Sequence, residues 1–355
     1  MIPIAKPILG DEEKKAIASV LESGMLAQGP KVKEFEEKFS KYIGTKYAIA
    51  TNNGTTALHL GLLAAGVKQG DEVITTPFSF IATATTIIFC GAKPVFVDID
   101  PGTFNIDASK IENAITPKTK AIMPVHLYGL PAEMDRIMEI AKKHDLAIIE
   151  DACQAHGAEF NGKRVGAFGD CGCFSFYPTK NMTTGEGGMI TTNNEKIAEK
   201  TRLLREHGQK ARYEHVMVGY NYRLTDIHAA VGIEQLKKLE GFNKKRIENA
   251  KILSKGVQER VEVPYVPPNT RHVYHQYTIK VKNRDELKEK LAKDGVSTGI
   301  YYPKLIYQYP PMNKYAMKTK VAEGMVNEVI SLPVHPSLSR ADLDKIIESV
   351  VMHSK

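Results

Sequence analysis

The chain has 355 residues, of which 43% are hydrophobic, 25% charged and 8% aromatic. That composition excludes a disordered or fibrous chain, and the length points to about two domains at ~150 residues each. The formal charge is +7 and uneven: residues 201–355 carry 27 basic against 17 acidic side chains, residues 1–200 carry 21 against 24. No block of five or more like charges occurs, which argues against a nucleic-acid-binding arm. No apolar run approaches the ~18 residues of a membrane span, and the opening MIPIAKPILGDEEKK lacks the basic-then-apolar order of a secretory leader. The four cysteines, Cys90, Cys153, Cys171 and Cys173, lie in or beside apolar stretches. They read as buried thiols in a reducing, cytoplasmic compartment. The Cys-Gly-Cys pair has too few partners at zinc-like spacing, so no metal is expected.

Apolar runs alternate with stretches of helical period. Tyr47–Thr51 predicts a strand, Thr55–Ala65 a helix, Glu72–Thr76 a strand and Ile81–Phe89 a helix. Pro94–Asp98 is a strand, Ala108–Ala114 a helix, Ala121–His126 a strand, Ala132–His144 a helix and Leu146–Asp151 a strand. Cys173–Phe176 and Gly188–Thr192 are two further short strands. This alternation with short connections predicts an α/β fold, a largely parallel sheet with helices on both faces. Continuous apolar runs such as AIIE fit strands covered on both faces. After about residue 240 the pattern changes. Glu240–Val257 predicts a long charged helix, 261–270 a Pro-rich loop, His275–Val281 a strand, and Asp285–Asp294 and Ala341–His353 helices. Residues 1–240 therefore read as a large domain and 241–355 as a smaller α/β domain, beside which the first ~27 residues are expected to pack.

Three constellations carry chemistry. In CFSFYPTKNMTTGEGGMITT, Lys180 follows a strand and precedes glycines that let backbone approach a ligand. An exposed loop lysine is the plain alternative. A lysine emerging from packed aromatic structure instead loses hydration, its pKa falls, and it becomes a nucleophile or base. Asp151 ends an apolar parallel strand, where open α/β sheets bind ligands; it is either a loop cap or a carboxylate facing a cationic ring nitrogen. Gln154 and His156 follow in the same loop. In Asn52-Asn53-Gly54-Thr55-Thr56 a strand gives way to a helix start, suited to a phosphate but also to plain capping. Pyridoxal phosphate (PLP) explains the three together: a phosphate cradle, a lysine for its aldehyde and an acid for its ring nitrogen. Phe80, after the next strand, is either core or a flat partner for the ring.

The strings SGMLAQGPKVKEFEEKFSKYIG, NGTTALHLGL, TTPFSFIATA, EDACQAHGA, GDCGCFSFYPTKNMTTGEGG and GYNYRLTDIHAAVG occur in this order. Together they resemble the PLP-dependent sugar-nucleotide aminotransferases of the DegT/StrS family, with FSF-x-x-x-K-N-x-x-x-GEGG the most specific. The resemblance implies a mostly parallel, seven-stranded-type sheet flanked by helices, with a smaller C-terminal domain. It implies that Lys180 carries the imine and moves the proton, and that Asp151 pairs with the ring nitrogen. Gln154 is then near the ring hydroxyl, Phe80 on the ring face, and Gly54, Thr55, Thr56 and Ser175 at the phosphate. Asn221 would reach the phosphate of the other subunit, in a homodimer with shared active sites. Tyr301 and Tyr302, which stand where many members have His-Tyr, would contact the sugar nucleotide; His156, in the loop after Asp151, is expected to face the same pocket as a further substrate contact.

The implied reaction is ping-pong transamination of a nucleotide-linked keto-sugar, a 3-keto- or 4-keto-6-deoxyhexose or related sugar, with L-glutamate as donor. Gln at 154 leans toward amination at C3. Lys rather than His at 180 disfavours the family's dehydratases, and a regulatory relative without transferase activity is the other alternative. A nicotinamide oxidoreductase would need a glycine fingerprint that Asn52–Ala57 lacks.

Overall fold

The computed structural model describes residues 1–354. The β-branched and apolar runs form seven strands: β1 (Tyr47–Thr51), β2 (Glu72–Thr75), β3 (Lys93–Phe96), β4 (Thr119–Ile122), β5 (Ala147–Asp151), β6 (Cys171–Ser175) and β7 (Gly188–Thr192). Their order in the sheet is β1-β7-β6-β5-β4-β2-β3. Strand β7 is antiparallel to both its neighbours, and every other pairing is parallel. The carboxyl ends of β1, β5 and β6 therefore share one edge of the sheet. Thr51 and Ser175 both pair with Gly188, and Asp151 pairs with Cys173, which sets the register at that edge.

Helices α1 (Asp11–Ser23), α2 (Pro30–Ile43), α3 (Gly54–Ala64), α4 (Ala82–Phe89), α5 (Met134–Lys143), α6 (Glu195–Arg205) and α7 (Asp226–Val257) complete the first part of the chain. Strand β6 shows why both faces are covered. Phe174 joins Phe35 and Phe39 of α2 in one core cluster, while Cys171 and Cys173 join Leu58 and Leu60 of α3 in another. A Cβ on Gly61 of α3 would lie 2.9 Å from the Cys173 sulfur, so both thiols are packing groups against a close helix.

Beyond α7 come β8 (Tyr277–Lys280), α8 (Arg284–Lys293), β9 (Val329–Leu332) and α9 (Arg340–His353), with β8 and β9 antiparallel. Their core, including Tyr277, Leu291, Ile330 and Ile346, also takes in Ile2. The first residues are tied there by an Ile2–Val296 bridge and by the His335 ring against the Pro3 carbonyl at 3.1 Å. Among the described residues no helix is long and apolar enough to cross a membrane.

Two expectations need correction. Ala108–Ala114 is not a helix but two 3₁₀ turns, Ala108–Lys110 and Glu112–Ala114; seven residues are too few to nucleate an α-helix without packing support. The helix expected to start at Glu240 starts at Asp226, with the Thr225 hydroxyl accepting from His228 N at 3.3 Å, and runs unbroken through position 240. Gly232 masked its first half. That glycine is there because a Cβ would strike the Phe35 ring at 2.7 Å.

Candidate active site

Lys180 stands in the β6–β7 loop, and that loop is tied down by its own polar residues. Phe176 N donates to Gly187 O at 2.8 Å, and the Phe176 carbonyl accepts from Thr183 Oγ1 (2.8 Å) and Thr184 N (3.0 Å). Asn181 Nδ2 donates to Asn243 Oδ1 of α7 and to Val273 O. Lys180 keeps part of its surface open, yet loss of hydration is the largest influence on its amine and pushes its pKa down, opposed by Cys153 and Asp151. It enters no ion pair among the described residues.

Asp151, at the end of β5, is 5% exposed. Its Oδ2 accepts from Thr83 Oγ1 at 2.8 Å, and its Oδ1 from Cys153 N at 3.3 Å. Gln154 is held from both sides: its Oε1 accepts from Tyr128 N at 2.8 Å and its Nε2 donates to Tyr302 Oη at 3.0 Å. Tyr128 sits at φ 58° to make that contact, and its hydroxyl donates to the Tyr301 carbonyl. The Phe80 ring is 6.2 Å from Tyr302 and is 55% exposed. The core alternative for Phe80 is thereby excluded, and Phe80, Gln154, Asp151 and Tyr302 form one polar-and-aromatic cluster.

At the start of α3, Asn53 Oδ1 accepts from Thr56 N at 2.9 Å, and Thr56 Oγ1 donates to Asn52 Oδ1 at 2.7 Å. Thr56 is therefore committed to the helix cap, whereas the amides of Gly54 and Thr55 precede any intrahelical acceptor. Gly54 closes onto Ser175: a Cβ there would lie 2.6 Å from Ser175 Cβ and 3.0 Å from its Oγ. Only glycine allows two amides and a hydroxyl to meet at that spacing. Asn221 is exposed and adjoins Tyr222, whose carbonyl accepts from Asn52 N at 3.0 Å.

His156 is a correction. It is fully buried, 5.4 Å from Phe174 and 5.6 Å from Phe176, and cannot touch a sugar nucleotide. Burial, reinforced by the Lys180 charge, pushes its pKa down to about 3; burial does the same to His272. Each folded value lies below the unfolded ~6.5. The unfolded chain therefore binds more protons between these limits, and stability falls as pH drops from about 6.5 toward 3. The loss is up to ~1.4 kcal/mol per pH unit for each ring. His156→Gln should remove one such contribution, read as a shallower fall of urea-unfolding free energy between pH 6.5 and 5 than in wild type. Parallel slopes would contradict it.

Thr83, Ser79, Tyr128 and Cys153 were not singled out from the sequence. Ser79 precedes α4 and Thr83 lies in its first turn, so no helical spacing linked the two hydroxyls in the sequence. The group that would use all of these side chains is a phosphorylated pyridine aldehyde, and the residues present fit it. An unpaired amine, a buried acid and a cradle that a Cβ would fill stand at one sheet edge.

Residues 7–351 match the model of the DegT/DnrJ/EryC1/StrS aminotransferase family. The GDP-perosamine synthase of Caulobacter vibrioides is 43% identical over 98% of this chain and 97% of its own. A pleiotropic regulatory protein of Geobacillus stearothermophilus is 43% identical over 96% of this chain and 94% of its own. A solved Streptococcus pneumoniae chain in its PLP form superposes with TM-score 0.94 at 30% identity, covering 99% of this chain and 98% of that one.

Proposed function

This chain belongs to the DegT/DnrJ/EryC1/StrS aminotransferase family and uses pyridoxal phosphate, and from that premise we propose that it aminates a nucleotide-linked keto-sugar with L-glutamate as donor. The sugar is a 3-keto- or 4-keto-6-deoxyhexose or a close relative, in line with the name of the Caulobacter vibrioides protein. One observation carries the reading: the desolvated Lys180 amine and the buried Asp151 carboxylate share the sheet edge with the free amides of Gly54 and Thr55.

When bound, the cofactor supplies an aldehyde that condenses with amines and a ring that accepts the electron pair freed at the amine-bearing carbon. Lys180 is its attachment point. Once a substrate amine took that place, Lys180 Nζ would take the proton from the donor's α-carbon and return it on the other side of the transferred nitrogen. Its lowered pKa keeps a share of the amine unprotonated for this work. Asp151 holds a proton on the ring nitrogen. Gln154, fixed by Tyr128 and Tyr302, would face the ring hydroxyl, and Phe80 would cover the ring and exclude water. The amides of Gly54 and Thr55 and the Ser175 hydroxyl take the phosphate, a fit for a helix N-terminus. The keto-sugar accepts the nitrogen by the same moves in reverse, with Tyr301 and Tyr302 at the mouth. The basic excess of residues 201–355 favours approach of the diphosphate.

The active unit in this reading is a homodimer in which Asn221 of each chain reaches the other's phosphate. Supporting it, Phe80, Tyr177 and Val218 are 55%, 48% and 88% exposed, large apolar surface that a second copy would cover. A regulatory role is the second reading, favoured by the name of the Geobacillus stearothermophilus relative.

Borohydride reduction followed by peptide mapping tests the first half: the cofactor should be fixed on the peptide containing Lys180, and labelling elsewhere would sink the assignment. A panel of 3-keto and 4-keto sugar nucleotides, assayed with glutamate for 2-oxoglutarate release, tests the second. A holoenzyme that aminates no member of the panel would favour the regulatory reading.

A further inference from the structure

Asp151 is a buried carboxylate that enters no ion pair among the described residues. The Lys180 amine acts on it only at a distance, so this buried charge relies on hydrogen bonds, and Asp151 has one short one. Thr83 Oγ1 lies 2.8 Å from Oδ2, whereas Cys153 N lies at 3.3 Å from the other side-chain oxygen. An ionised carboxylate only accepts, so the single Thr83 proton points at Asp151. The Ser79 hydroxyl, 2.8 Å from Thr83 Oγ1, must then donate to Thr83. The result is a directed row, Ser79 to Thr83 to Asp151, with Thr83 1% and Ser79 4% exposed.

Capping or backbone satisfaction does not explain this hydroxyl. Thr86, three residues on in the same helix and equally buried, bonds back to Ala82 O at 2.9 Å, the ordinary outlet for a helical threonine. Thr83 is aimed off the helix at a residue 68 positions away. The same short segment carries Phe80, so the stretch that covers the ring's face also grips the acid at its edge.

We propose that Thr83, fixed by Ser79, is a positioning residue of the transamination, holding Oδ2 of Asp151 so that Oδ1 stays turned to the cofactor's ring nitrogen. This rests on the cofactor reading above. Without the hydroxyl the carboxylate is free to rotate, and the ring nitrogen keeps its proton for less of the time. The loss of one hydrogen bond to a charged group predicts a fall in kcat of about tenfold, with KM for both substrates within about twofold, because no substrate-binding group is removed.

The test compares holoenzymes of wild type, Thr83→Val, Thr83→Ser, Thr86→Val and Asp151→Asn, each loaded with cofactor labelled with ¹⁵N in the ring. Thr83→Val should lower kcat and move the ring-nitrogen resonance toward the unprotonated position. Thr83→Ser should restore both, and Thr86→Val should lower thermal stability without moving the resonance. If Thr83→Val and Thr86→Val give the same resonance and the same kcat, Thr83 is merely structural and the proposal falls. If Asp151→Asn also leaves the resonance where it was, the pairing of Asp151 with the ring falls, and the proposal with it. A shift in Asp151→Asn but none in Thr83→Val overturns the Thr83 role alone.

Discussion

Replacing Lys180 by alanine is expected to lower turnover by about a thousandfold or more, the size of a lost general acid–base group. The cofactor should still bind through the Gly54, Thr55 and Ser175 cradle, but borohydride should no longer fix it to the protein. A small primary amine added to solution should recover part of the rate, because alanine leaves the volume of the side chain vacant. Stability is expected to move the other way. The folded pKa of Lys180 lies below its ordinary value, so between the two the unfolded chain binds more protons than the folded one. Stability then rises with pH through that window, and at neutral pH the partly desolvated amine opposes folding. Lys180→Met, which keeps the stem and removes the charge, should give an apoprotein at least as stable as wild type at pH 7. It should also lose the rise in stability at higher pH. Turnover within tenfold of wild type for Lys180→Ala, or a sharp loss of stability in Lys180→Met, would contradict the assignment.

The parts of the fold legible in the sequence are those where one physical demand dominates. Strands β1 and β7 are where the apolar runs put them, because strands covered on both faces need nothing but apolar residues. Helices α1 and α2 escaped notice because their stability is tertiary. Glu13 of α1 meets Lys238 of α7 at 2.7 Å, and Phe35 of α2 packs on Phe176 at 5.2 Å; neither partner is visible from inside the segment. The start of α7 was hidden for a related reason. Gly232 is poor evidence for a helix until Phe35 is in place against it, and the Ile8 carbonyl that accepts from Gln235 Nε2 at 2.8 Å is equally invisible from within the segment.

The site divides the same way. Lys180, Asp151 and Gly54 are conspicuous in the sequence because their residue types are chemically demanding and close or follow strands. Thr83 does not, since a threonine in a helix carries no local mark of a partner 68 residues away. His156 misled because proximity in sequence to Asp151 was read as proximity to the pocket. Asp151 closes β5, and five residues later the chain has already turned inward between Phe174 and Phe176. Thr56 lies beside the cradle with its hydroxyl and amide bonded to Asn52 and Asn53.

The second large effect concerns Asp151→Asn, which keeps the shape and one acceptor for Thr83 while removing the charge and the acceptor that faces Cys153 N. Thr83 can still donate to the amide oxygen, and the site already lacks an ion pair that the change could break, so folding stability should stay within about 1 kcal/mol of wild type. Cofactor should also be retained, because Lys180 and the α3 cradle are untouched. Turnover should nevertheless drop by about a hundredfold or more, the scale seen when a preorganised charge-stabilising group is removed. An amide cannot hold the proton on the ring nitrogen, and the ring then accepts electrons poorly. Asp151→Glu should recover part of the rate, since it returns the charge one methylene away from its proper place. The double variant is the sharper measurement. If Thr83 acts only through Asp151, adding Thr83→Val to Asp151→Asn should cost almost nothing further, although Thr83→Val alone costs about tenfold. Additive losses would mean that the hydroxyl and the acid act independently, and near-normal turnover in Asp151→Asn alone would remove the carboxylate from the mechanism.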